Sequence, residues 1–134
     1  MPDPSTCEAW LGVARERGLD AKSMLPSRAT SVGPVYMAGY AVESALKAYL
    51  QARGIPRPTS GSAGHDLRAL WKASGLQLRD LRDSDGSATF FIDEWTTALR
   101  YEARPASGQR DSQKLIDGAG RLVGFVTGLI RRSS

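Results

Sequence analysis

GPVYMAGYAVESALKAYLQARG, residues 33–54, is the stretch whose reading settles the fold of this chain. Pro34 suits the first turn of a helix, where a missing N–H is no loss, and Gly54 supplies a C-terminal stop. At about 100° per residue, Ala38, Ala41, Ala45 and Ala48 fall within one narrow arc. Val35, Val42, Leu46 and Tyr49 continue that surface, leaving a thin strip of Tyr36, Tyr40, Glu43, Ser44 and Lys47. A helix that is apolar or small around most of its circumference is buried on several sides. The spacing therefore predicts a central helix, with an alanine seam that lets a neighbour approach closely.

Upstream, Ser5 or Thr6 is placed to cap a first helix carrying Trp10, Val13, Ala14, Ala21, Met24 and Leu25 inward. Pro26 is expected to end it, and the polar link 27–32 then returns the chain as an antiparallel partner of the central helix. Downstream, Ile55 to Gly64 is rich in Pro, Gly and Ser and reads as a loop, either a simple connection or a lid. His65 or Asp66 opens a third helix that Gly75 closes, with Leu67, Leu70 and Trp71 facing the core. Leu76, Leu78 and Leu81 alternate as a strand would, but no second strand exists to pair with them, so they read as a turn over the core.

Asp80, Asp83, Asp85 and Gly86 have the look of a calcium loop. Aligning Gly86 to the turn position puts Leu81 and Ile92 where acidic ligands belong, which excludes that chemistry. Turn and cap chemistry for a fourth helix explains them better. That helix is expected from about Ala88 to Ala103, with Phe91, Trp95, Ala98 and Leu99 inward and Asp93, Thr97, Arg100 and Arg104 on the opposite stripe. Pro105 to Gly108 breaks it, and a fifth helix follows from about Gln109 to Arg131. Its apolar set is Leu115, Ile116, Ala119, Leu122, Val123, Val126 and Ile130. Gly120, Gly124 and Gly128 sit one turn apart, each costing a helix about 1 kcal/mol relative to Ala. They are expected to mark close approach of another helix, from this chain or from a second copy. The reading is an all-α antiparallel bundle of about five helices, one domain over 1–134.

The full chain has 134 residues and 18 Lys and Arg against 14 Asp and Glu, a net charge of +4. The charges are interspersed, a mild bias toward an anionic partner. One Cys and one His cannot build a zinc site. There is no phosphate-cradling glycine loop or dinucleotide fingerprint, so no cofactor is expected. Nor does any apolar run approach the ~20 residues that span a bilayer, and a cytoplasmic protein is expected.

Tyr36-Met37-Ala38-Gly39-Tyr40-Ala41-Val42-Glu43-Ser44-Ala45-Leu46-Lys47-Ala48-Tyr49-Leu50, followed by Gly64-His65-Asp66-Leu67 and Leu99-Arg100-Tyr101, resembles the HEPN family. The resemblance implies a small all-α domain, often dimeric, of the kind linked to RNA cleavage, nucleotide binding and toxin–antitoxin or defence systems. It also implies a partner of nucleotidyltransferase type. HEPN ribonucleases carry an Arg followed after a short spacer by a His, and each subunit of the dimer gives one copy to a metal-independent cleft. Here no His follows Arg100, so the family's nuclease mechanism does not carry over, while its fold and an anion-binding cleft do.

The residues that would carry chemistry are Lys47, His65, Arg100 and Tyr101, supported by Tyr40 and Glu43. Glu43 and Lys47 are spaced i,i+4: an ion pair along the edge of the central helix, worth about a few tenths of a kcal/mol if exposed, or a cation flanked by Tyr36 and Tyr40 that lines an anion pocket. His65 either caps its helix or serves as a neutral proton acceptor, since a helix N-terminus favours the uncharged ring. Arg100 either pairs with a carboxylate or grips a phosphate in bidentate fashion, with the Tyr101 hydroxyl beside it. The function expected is a non-catalytic or weakly active module, homodimeric in the family's manner, that binds a nucleotide or RNA. The alternatives are a divergent metal-independent ribonuclease toxin using Arg100 and His65, and a pure protein–protein interaction domain.

Overall fold

The computed structural model describes residues 6–28, 33–57, 66–95 and 111–132, and these contain five α-helices, a short 3₁₀ turn and no strand. The all-α class expected from the sequence is what the chain has. Helix α2, Gly33–Arg53, is the centre, and every residue from 41 to 50 is buried. It packs against α1 (Cys7–Arg28), α3 (Leu67–Ser74) and α5 (Ser112–Arg132). Its end is a Schellman motif: Gly54 takes a positive φ of 67°, its N–H reaches the Gln51 carbonyl at 3.3 Å, and the Ile55 N–H reaches Leu50 at 2.9 Å.

Thr6 caps α1, its hydroxyl accepting the Ala9 N–H at 3.1 Å. Pro26 does not end the helix as expected; it lies inside the last turn, and the helix runs on to Arg28. Proline there removes the donor for the carbonyl of Lys22, and with only two helical residues beyond it there is little helix left to disrupt. Ala14 and Ala21 of α1 line the same cavity as Ala38 and Ala41 of α2, while Trp10 lies against Lys47. The two helices therefore run antiparallel, with small residues along the seam.

Asp66 supplies the α3 cap, its Oδ1 accepting from the Arg68 and Ala69 N–H groups at 3.0 and 3.4 Å, and Gly75 closes the helix at φ 74°. Leu67, Leu70 and Trp71 are buried as expected, and the leucines after them form the 3₁₀ turn Leu78–Leu81. Helix α4 is only Thr89–Asp93, not the long helix expected to about Ala103. Glu94 leaves helical geometry at φ −124°, and the N–H groups of both Glu94 and Trp95 converge on the Phe90 carbonyl, at 2.8 and 3.1 Å. The turn lets the Trp95 indole lie down on α2. Helix α5 begins at Ser112 rather than near Gln109, capped by Asp111, whose Oδ1 accepts from the Gln113 N–H at 2.7 Å. The expectations for His65, Thr97, Ala98, Leu99, Arg100, Tyr101 and Arg104, and for most of the 55–64 loop, fall outside the described residues.

The glycine ridge of α5 does not pack closely against any other helix among the described residues. A Cβ on Gly120 or Gly124 would have no atom within 4 Å, and one on Gly128 would touch only the Arg132 guanidinium, from 3.8 Å. Gly118 is the glycine at a close approach: its Cβ would stand 2.6 Å from the Ser87 carbonyl carbon and 2.7 Å from the Ala88 nitrogen. The same change should then act in opposite directions. Gly124→Ala should stabilise by about 1 kcal/mol through helix propensity. Gly118→Ala should destabilise by about 1–3 kcal/mol, because backbone must move. Denaturant unfolding of the two variants decides it, and equal shifts would refute the packing.

The loop that presses on Gly118 is held by Asp83 and Asp85. Asp83 accepts from the Thr89 N–H at 2.7 Å and from Arg121 at 3.1 Å; Asp85 accepts from the Ser87 N–H at 2.9 Å and from Arg121 at 3.3 Å. Burial alone would push the Asp83 carboxyl up, but hydrogen bonds from Thr89, Ala88 and Arg121 together hold it below the usual carboxylate range. A group depressed in this way contributes stability above the ordinary Asp value of about 4 and loses it as pH falls through its own lower value. Native protein should therefore lose stability below about pH 4 more steeply than Asp83→Asn, in paired denaturant titrations. Parallel curves would remove Asp83 as the cause.

Candidate functional site

One face of α2 carries Tyr36, Tyr40, Glu43 and Lys47 in succession, about 16 Å along the axis from first to last. At its C-terminal end Lys47 Nζ donates to Glu43 Oε2 at 3.0 Å. The pair is not on an exposed edge: the side chains are 6% and 7% exposed. Helix α1 covers it by laying the Trp10 ring with its centroid 4.9 Å from the ammonium. The Arg57 guanidinium lies 5.3 Å from the same centroid, so a 5% exposed tryptophan is held against two cations.

The N-terminal end of the face is aromatic. The Tyr36 and Tyr40 hydroxyls share a hydrogen bond of 2.7 Å, and their ring centroids lie 5.0 Å apart, edge to face. Trp95 stacks on Tyr36 at 5.8 Å and meets Tyr40 edge-on at 5.7 Å. It reaches them because Gly39 has no side chain: a Cβ there would fall 1.9 Å from the indole Cε2. Trp95 is 3% exposed, and its Nε1 has no hydrogen-bond partner among the described residues, while both tyrosines stay half-buried.

Of the residues singled out in the sequence, the structure joins Glu43 with Lys47 and sets Tyr40 beside Tyr36. The tyrosines pack on Trp95 and Lys47 packs on Trp10, at opposite ends of the face, so Lys47 is not flanked by Tyr36 and Tyr40 as expected. His65, Arg100 and Tyr101 lie outside the described residues. Asp66, not its neighbour His65, provides the side-chain cap seen on α3. The described residues hold no cluster of His, Cys, Asp and Glu fit for a metal ion, and none of their helices is long and apolar enough to cross a membrane.

The sequence placed Trp10 and Trp95 inward, as both are, but did not disclose the contact of Trp10 with Lys47 or that of Trp95 with the tyrosines. Gly39 held a usable signal, since glycine inside an alanine-rich helix costs about 1 kcal/mol and calls for a close neighbour. Trp10 held none, because its place over Lys47 depends on how α1 and α2 register.

The family model for the HEPN domain matches residues 7–129. The chain belongs to the HEPN family. The match takes in all of α1, α2, α3 and α4 and most of α5, so the polar face of α2 lies within the matched HEPN region. HEPN membership ties the chain to a nucleotide- or RNA-related role. No curated protein matches the chain. No solved structure matches it either.

Proposed function

We propose that this HEPN domain, acting as a cytoplasmic homodimer, binds a nucleotide or RNA without cleaving it. It would serve a toxin–antitoxin, defence or nucleotidyltransferase-associated system. The observation that carries the reading is the half-buried Tyr36–Tyr40 pair braced by Trp95. Aromatic faces of this kind stack bases, each worth about 1–3 kcal/mol, whatever the base. Trp95 leads directly into the segment that carries Arg100 and Tyr101, which in this reading supply a bidentate phosphate contact and a hydroxyl. His65 contributes its ring, and the buried Glu43–Lys47 pair anchors the C-terminal end of the same face.

The absence of a His after Arg100 supports binding over cleavage, since an acid–base partner is missing at that spacing. The test is purified protein with labelled single-stranded RNA and with nucleotides, in chelator. The expected result is intact RNA, a melting temperature that rises with ligand, and at least about tenfold weaker binding in Tyr40→Ala and Arg100→Ala. Cleavage that both Arg100→Ala and His65→Ala abolish would make the domain a ribonuclease instead. A folded sample that neither binds nor cleaves would leave protein–protein interaction.

A further inference from the structure

Away from the aromatic face, α1 and α5 leave a groove between them. It consists of two adjoining cavities of about 210 and 310 Å³ that share Ala14, Arg15 and Val123 in their walls. From Glu8 to Lys22 along α1 the groove is about 21 Å long, the span of a four-turn helix. Its floor is small and apolar, with Ala14, Ala21, Ala38, Ala41 and Ala119 as its main residues. Leu19, 54% exposed and the only large hydrophobic residue so exposed among those described, stands at its side. Gly12, Gly18 and Gly120 line it, and a Cβ on any of them would meet nothing within 4 Å.

The rim has a sign. Arg15, Lys22 and Arg131 border the groove, against Glu8 as the one carboxylate among the lining residues. Arg15 and Lys22 are exposed and belong to none of the ion pairs seen among the described residues. No aromatic side chain among the described residues lines either cavity, so their walls offer no surface on which unpaired bases stack. Two copies of this chain meeting here would set like-charged rims against each other.

We propose that the α1–α5 groove docks an acidic amphipathic helix of a partner protein. Its apolar stripe lies on the alanine floor, its backbone closes on the glycine positions, and its carboxylates face Arg15 and Lys22. This is the helix-in-groove mode, with apolar anchors at i, i+3 or i+4, and i+7. It does not depend on nucleotide or RNA binding at the aromatic face.

The test is a displayed library of random 16-residue peptides selected against the full chain. Enriched peptides should be net acidic with helical apolar spacing. They should lose at least tenfold in affinity for Gly120→Leu and for the double variant Arg15→Glu/Lys22→Glu, and should weaken as salt rises. Position 120 is open, so Gly120→Leu should melt no lower than the native chain, and lost binding then reports the groove and not the fold. Enrichment of neutral or basic peptides, indifference to Gly120→Leu, or no groove-dependent binder would overturn the proposal. So would single-stranded RNA displacing the peptides and itself losing affinity for Gly120→Leu, which would make the groove an RNA surface. A native dimer that Gly120→Leu dissociates would make it a contact between copies.

Discussion

Lys47→Met should lower the stability of this domain by about 3–5 kcal/mol, the cost of removing one partner of a buried ion pair and leaving the other carboxylate in the core. The loss also takes away the cation against the Trp10 ring. For a chain of this size it corresponds to a fall in melting temperature of roughly 10–20 °C. Glu43→Gln/Lys47→Met should recover most of it, because the pair as a whole roughly breaks even against uncharged groups of similar volume. Chemical denaturation of the single and double variants measures both. If Lys47→Met stays within about 0.5 kcal/mol of native, water reaches the pair and the burial argument fails.

Gly39→Ala should cost about 2–4 kcal/mol, although alanine is the better helix former. The new methyl would occupy the space of the Trp95 indole, 1.9 to 2.4 Å from three of its atoms. A buried ring set against two tyrosines has no free direction to move, so it must leave the cluster. Losing a buried tryptophan's packing costs about 3–5 kcal/mol, and the propensity gain returns about 1. Tryptophan emission should shift red as the indole meets water. A variant as stable as native, with unchanged emission, would show that Trp95 does not rest on Gly39.

These two sites show which parts of the molecule the sequence could disclose. The limits of α2 and α3 were legible because Pro34, Gly54, Asp66 and Gly75 act on the backbone within a few residues of themselves. The end of α4 was not, because it depends on Trp95 reaching Gly39, a contact between residues remote in the chain. The i,i+4 spacing of Gly120, Gly124 and Gly128 placed them on one ridge but could not say what covers it. Gly118, off that ridge, proved to be the tight contact. Glu43 and Lys47 were paired correctly from spacing, yet read as an edge pair, since polarity alone hides that α1 roofs them with Trp10. Of the described part of the candidate site, the α2 residues and the burial of both tryptophans were legible in the sequence, and the contacts by which Trp10 and Trp95 bracket the α2 face were not.

The unbroken burial of residues 41–50 has an evolutionary consequence. A helix enclosed on every side for that length has no position at which recognition can change without repacking a neighbour. One inserted residue would turn everything beyond it by about 100° and carry the alanine seam away from α1. Relatives of this chain should therefore diverge in what they bind through the outer surfaces of α1 and α5 and through the half-buried tyrosines. The middle of α2 should accept little beyond exchanges of similar volume. Ligand preference and architecture can then drift at different speeds within one small domain.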